Sequence, residues 1–191
     1  MNIGLFGGTF NPVHNGHIKL AESFLLQKKL DEVWLMVSPL NPLKQNDIIK
    51  ANTLRLNLLR KAIAYNPKLI ASDYEFNLPK PSYTWNTLQH LKHDFPNNKF
   101  TILIGEDNWD LFDRWYKSKE ILSNYEIVIY PRTKTKASLT KLPKKVSVLN
   151  SAYIDVSSTE IRNLVNKNLP INDLVPEIII DDVKKIYSSN N

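Results

Sequence analysis

Residues Val33-Trp34-Leu35-Met36-Val37 are apolar at every position. A strand with one face in water alternates apolar and polar side chains, whereas a strand covered on both faces reads as an unbroken apolar run, and such runs belong chiefly to parallel sheets flanked by helices. The rest of the chain supplies the helices. Strand-like segments at residues 2–6, 69–72, 100–104 and 127–130, with a weaker one at 146–149, alternate with helical periodicities at 15–28, 51–65, 84–95 and 157–166. Two short helical pieces fall at 109–112 and 118–123, and a last helix follows Pro176 and reaches Tyr187. Strands alternating with helices predict an α/β protein, a doubly wound parallel sheet with right-handed crossovers and C-terminal helices. No domain boundary is visible, so a single domain over 1–191 is expected, long enough to bury a substantial core.

Cysteine is absent, which excludes a disulfide framework, a thiolate nucleophile and any cysteine-based zinc or iron–sulfur site. No charged region followed by an apolar one opens the chain, and no apolar stretch approaches ~18 residues. A cytoplasmic protein with no membrane partner is expected. A formal charge of +6 and a pI near 9.3 favour anionic partners without choosing among nucleic acid, membrane surface and phosphorylated small molecules. The densest basic group, Lys134, Lys136, Lys141, Lys144 and Lys145, lies in an expected loop, and no basic stripe interleaved with aromatics suggests a nucleic-acid surface. A basic nucleic-acid-binding module remains the rival from another class.

The first strand runs into Gly7-Gly8-Thr9-Phe10-Asn11-Pro12-Val13-His14-Asn15-Gly16-His17. Paired glycines permit close backbone approach, and two histidines three residues apart stand at the start of a helix with Asn15 as its expected N-cap. Both imidazoles can donate to phosphate oxygens from the positive end of that helix. The stretch matches neither G-x-G-x-x-G nor G-x-x-x-x-G-K-[ST]. His90 and His93 repeat the spacing, which leaves a four-histidine metal site as an alternative to a solvent-facing pair. Near the other end, Ser157-Ser158-Thr159-Glu160 has capping-box spacing, with Arg162 one turn inside. Hydroxyls, backbone N–H groups and a guanidinium there would converge on a second anion.

Together these two motifs resemble the nucleotidyltransferase family marked by an H-x-G-H signature, whose members transfer a nucleoside monophosphate from a triphosphate on a Rossmann-like sheet. Pro81-Ser82-Tyr83-Thr84 with Thr87 and Leu88, and Gly105-Glu106-Asp107-Asn108 followed by Arg114-Trp115-Tyr116-Lys117, are similar to segments of the bacterial nicotinate mononucleotide adenylyltransferases, over nearly the whole chain. The resemblance implies catalytic roles for His14, His17 and Arg162. It implies ATP against Gly7, Gly8, Thr9, Phe10 and Gly16, its ribose and adenine near Gly105, Asp107 and Arg132, and its triphosphate at Ser158 and Thr159. It places nicotinate mononucleotide near Tyr83, Thr84, Trp115 and Tyr116, with Lys44 and Arg55 toward its phosphate.

The residue types suit those duties. Trp115 offers a face for stacking, Asp107 accepts from ribose hydroxyls, and Lys44 supplies charge, although each also has a purely structural use as core, helix cap or loop residue. Mg²⁺ is expected as the cofactor, held mainly by substrate phosphates with no dedicated protein site, Asp107 being an indirect candidate. The expected reaction joins ATP and nicotinate mononucleotide into nicotinate adenine dinucleotide and pyrophosphate, a step of NAD biosynthesis. Nicotinamide mononucleotide, phosphopantetheine and glycerol 3-phosphate are the alternative acceptors, and a homo-oligomer is left open. The chain departs from the family at Glu106, where a small or neutral residue is usual, at Leu43, where a histidine often stands, and in its tail after Tyr187.

Overall fold

The computed structural model describes residues 1–39, 50–131, 141–151 and 156–188. Its strands are β1 (Asn2–Gly8), β2 (Glu32–Val37), β3 (Leu69–Ser72), β4 (Lys99–Gly105), β5 (Glu126–Tyr130) and β6 (Val146–Val148). The helices are α1 (Asn15–Gln27), α2 (Asn52–Ile63), α3 (Thr84–Asp94), α4 (Glu106–Asp110), α5 (Ser118–Asn124), α6 (Ser158–Asn166) and α7 (Ile180–Tyr187). The six strands form one sheet in the order β3-β2-β1-β4-β5-β6, with every neighbouring pair parallel.

The apolar run in β2 is shared between two layers. Val33, Leu35 and Val37 pack with Phe24 of α1 and Leu59 of α2, whereas Met36 faces Leu5, Leu88 and Leu91 on the other side of the sheet. Side chains of successive residues leave a strand on opposite faces, so a strand buried on both sides needs apolar residues throughout. Helix α1 buries Ile18, Ala21, Phe24 and Leu25, as its periodicity demands. Its approach to β1 is close enough that a Cβ on Gly4 would lie 2.4 Å from Phe24 and 2.7 Å from Leu30. Only glycine fits there.

Most boundaries fall within two residues of those expected, the usual fraying at element ends. The exception is the helix expected at 109–112, which begins at Glu106: Gly105 takes the extended N-cap position, and Glu106 and Asp107 place negative charge in the first turn, where it is favoured. A 3-10 turn, Phe112–Arg114, follows it, and another, Glu177–Ile179, precedes α7.

The connections place the site. From β1 the chain winds outward through β2 and β3, then returns to lay β4 on the opposite side of β1 and winds outward again. The carboxyl ends of β1 and β4 therefore flank the point where the winding reverses, the crevice in which open α/β sheets bind ligands. Those ends are Gly8 and Gly105.

Candidate active site

The turn after β1 is built from beneath. Phe10 is 1% exposed and adopts φ 46°, and its ring lies under Gly8, where an added Cβ would come within 2.9 Å of it. Phe10 thus supports the turn from the core with its side chain, which leaves its backbone to face a ligand. Nothing lies within 4 Å of a Cβ position at Gly7, so the space above that residue is open.

The N-cap of α1 is His14, not Asn15. His14 has extended backbone angles, φ −145° and ψ 168°, while Asn15 is already helical and its amide donates to the Asp173 carbonyl at 2.8 Å. The His14 N–H donates to His17 Nδ1 at 3.3 Å, and the two rings lie 3.6 Å apart at 31°. A neutral imidazole that accepts at Nδ1 carries its proton on Nε2, the tautomer that donates to a phosphate oxygen. Phe10 meets the His17 ring edge-on at 5.0 Å, restricting its rotation.

Asn11 joins this loop to the far end of the chain. Its carbonyl accepts from Arg162 Nη1 at 2.8 Å and its side-chain oxygen from the Tyr187 hydroxyl at 2.8 Å, and Ser158 Oγ donates to the Pro12 carbonyl at 2.9 Å. Helix α6 starts as its sequence directs, Ser157 Oγ accepting from the Glu160 amide at 3.1 Å, and Arg162 Nη2 reaches Thr159 Oγ1 at 3.2 Å. The structure brings Ser158, Thr159 and Arg162 onto the loop that carries His14 and His17. Burial pushes the Tyr187 phenol pKa up, against the pull of Arg55 and Arg162.

Arg55 is the main correction. It is 0% exposed, and its guanidinium donates to the carbonyls of Thr9, Lys50 (3.0 Å) and Ser38 (3.0 Å) and to Asn52 Oδ1 (2.6 Å). Enclosed and occupied by those acceptors, it braces the ends of β1 and β2 and does not reach a substrate phosphate. Burial lowers its pKa from the ordinary arginine value. Lys44 and Arg132 lie outside the described residues.

Across the switch point opens a cleft of about 250 Å³. Gly7, Gly8 and Gly105 form its sheet-side wall, and Tyr83, Thr84, Trp115 and Tyr116 the other. Tyr83 is the N-cap of α3, whose first turn has neither an acidic residue nor a side-chain cap. Its leading N–H groups are thus suited to an acceptor on a ligand. The Tyr83 and Tyr116 rings lie 5.3 Å apart and are half exposed. Trp115 Nε1 and Ser82 Oγ are buried without a hydrogen-bond partner, two polar atoms that a bound ligand can satisfy.

Asp107 is exposed just beyond β4, whereas Glu106 is 5% exposed. His90 and His93 face solvent on α3, with His93 Nδ1 beside Asp94 at 2.9 Å. Among the described residues no group of three histidine, aspartate or glutamate side chains is placed to hold a metal ion, and no helix is long and apolar enough to cross a membrane.

Sequence reading gave no role to Glu75 or Asn11. Glu75 also lines the cleft beside Ser38, accepting from Thr87 Oγ1 at 2.9 Å, and burial raises its carboxyl to about 7 against the lowering effect of the Thr87 and Ser38 hydroxyls. Its signal was an acid two residues from Asp73 in an irregular segment, indistinguishable from a solvated loop charge.

A parallel sheet with a glycine turn, a helix-start histidine pair and an arginine-bearing capped helix at its switch point defines a nucleotide-handling α/β enzyme. The cytidylyltransferase-like family model matches residues 5–164. A protein of Cytophaga hutchinsonii named "Probable nicotinate-nucleotide adenylyltransferase" is 40% identical over 191 residues, 99% of this chain and 100% of that one. A Bacteroides fragilis protein of the same name is 45% identical over 159 residues, 83% of this chain and 79% of its own. The chain belongs to the cytidylyltransferase-like family and, within it, to the nicotinate-nucleotide adenylyltransferases. The fold is shared with the Plasmodium falciparum nicotinic acid mononucleotide adenylyltransferase complexed with NaAD, at a TM-score of 0.79 and 20% identity, over 96% of this chain and 95% of that one.

Proposed function

We propose that the cleft transfers the adenylyl group of ATP to nicotinate mononucleotide, yielding nicotinate adenine dinucleotide and pyrophosphate. The observation that carries this reading is the contact of Arg162 with the Asn11 carbonyl, which gathers a histidine pair and a guanidinium on one side of the switch point while an aromatic pocket with unpaired donors opens across it. A polyphosphate suits the first side. A planar ring bearing a carboxylate suits the second.

In the reaction a phosphate oxygen of the mononucleotide attacks the α-phosphorus of ATP in line, a new P–O bond forms, and the bond to the bridging oxygen breaks with pyrophosphate as leaving group. The nucleophile is already ionised, so the chain supplies position and charge stabilisation with no strong base. His14 and His17 donate to the α-phosphate region, Arg162 holds the departing phosphates with Thr159, and Gly7 and Gly8 let the backbone approach. Asp107 accepts from ribose hydroxyls. Trp115 stacks on the pyridine ring, while the first amides of α3 and the Trp115 indole N–H receive its carboxylate, a group that accepts hydrogen bonds but donates none.

Mg²⁺ fits the donor set. The exposed Asp107 carboxylate would offer the ion a hard oxygen indirectly, through water, at the nucleotide side, and a cation held mostly by phosphates and waters needs no cluster of protein ligands. When bound, it would neutralise polyphosphate charge.

The test is pyrophosphate release from ATP and Mg²⁺ with nicotinate mononucleotide, nicotinamide mononucleotide, phosphopantetheine or glycerol 3-phosphate as acceptor. The nicotinate compound should be used with the highest kcat/KM. Turnover on another acceptor alone would refute the substrate and keep the reaction class.

A further inference from the structure

We propose that Glu75 positions the acceptor end of the cleft, its carboxylate tying the amino-terminal turns of α3 to the turn that follows β3 so that Tyr83 and Thr84 are held against the pyridine ring. This rests on the function proposed above and names a positioning residue within it.

Glu75 sits in the 3-10 turn Tyr74–Asn77, between β3 and α3. It accepts from Thr87 Oγ1 at 2.9 Å, and it lines the cleft together with Ser38. Ser38 directly follows β2, and its N–H donates to the Gly8 carbonyl at 2.9 Å. Thr87 is buried on α3, one turn after Tyr83, whose carbonyl accepts the Thr87 N–H at 3.2 Å. One carboxylate in the turn after β3 therefore holds the helix start that forms the wall opposite the glycine turn.

The clamp has a built-in competitor. Thr87 Oγ1 also lies 3.4 Å from the Tyr83 carbonyl, the back-bond that helical threonines make to their own backbone. At 3.4 Å against 2.9 Å, the bond to Glu75 is the better one, and losing it lets Thr87 turn to Tyr83 and releases α3 from the turn after β3. Packing alone does not demand an acid here, because a partly buried carboxylate carries a desolvation cost that an apolar residue would avoid. What the acid supplies is an acceptor, carried on a separate element, for the buried Thr87 hydroxyl.

The experiment compares Glu75→Ala, Glu75→Gln and Thr87→Val in steady-state kinetics with each substrate varied, alongside thermal unfolding and calorimetric titration of nicotinate mononucleotide. Glu75→Ala and Thr87→Val should raise KM and Kd for the mononucleotide about 10-fold or more, with KM for ATP and kcat changed less than about threefold. Glu75→Gln, which keeps an acceptor for Thr87, should restore most of the loss. Should Glu75→Ala fail to fold, Thr87→Val carries the comparison. Unchanged mononucleotide KM in Thr87→Val, or losses that fall equally on both substrates, would overturn the inference. A wild-type protein that neither binds nor turns over nicotinate mononucleotide would remove the functional reading and this one together, and is distinguishable because it shows before any variant is made.

Discussion

Tyr187, in the last helix, donates a hydrogen bond to Asn11 Oδ1 at 2.8 Å across 176 residues of sequence. The same oxygen accepts from the Lys50 N–H at 3.3 Å, and the Asn11 carbonyl from Arg162. The residue between the glycine turn and the histidine pair is thus held from α7, from α6 and from Lys50, two residues before α2. Tyr187→Phe removes one of these ties and leaves the Lys50 bond, so it should cost about 0.5–1.5 kcal/mol in urea unfolding. Nucleotide transfer should slow severalfold with little change in substrate KM. Unaltered rate and stability would show that α7 merely covers the sheet.

Arg55 separates a structural role from a binding one. Removing its guanidinium strips donors from the carbonyls of Thr9, Ser38 and Lys50 and from Asn52 Oδ1, all around one buried centre. Arg55→Met should destabilise by about 3–5 kcal/mol, and Arg55→Lys by less, since an ammonium has fewer donors and no fork. Denaturant unfolding reads this directly. A stable variant with a raised mononucleotide KM would instead restore Arg55 to the substrate's phosphate.

His17→Ala tests the charge-stabilising pair. If the Nε2–H donates to the reacting phosphate, kcat should fall by roughly 10²–10³, as for other single donors aimed at developing charge. Binding of ATP should weaken far less. The His17 Nδ1 also fixes the His14 N–H, so circular dichroism and unfolding must accompany the kinetics. A drop under about tenfold in kcat would place the transition-state charge elsewhere.

The layers of the fold were legible because β2 carries an unbroken apolar run and α1 a clear helical periodicity, and the site because GGTFNPVHNGH and SSTEIR place glycines, histidines and arginine where strand meets helix. The misassignments share a physical origin. Arg55 was read by its charge, but its burial depends on carbonyls from three separate segments that only the folded chain assembles. The inward packing of the Phe10 side chain beneath Gly8 is likewise a property of the folded turn that the motif does not spell out. Glu75 and Asn11 act through partners distant in sequence or on other elements, which no local pattern encodes.

Glu75 also makes a pH prediction whose sign follows from its surroundings. Burial raises its carboxyl from the ordinary 4.5 to about 7, so between those values the folded protein holds a proton that the unfolded chain has released. The stability this confers is complete below the unfolded value and is lost as pH rises through about 7. Relative to Glu75→Gln, whose side chain does not titrate, the wild type should therefore lose stability between pH 4.5 and pH 8 by ~1–3 kcal/mol, the upper end being the full linkage. Urea unfolding of both proteins at pH 4.5, 6 and 8 measures the difference. Parallel pH profiles would mean that Glu75 is solvated and ionised throughout, and the same result would weaken its assignment as the residue that holds Thr87.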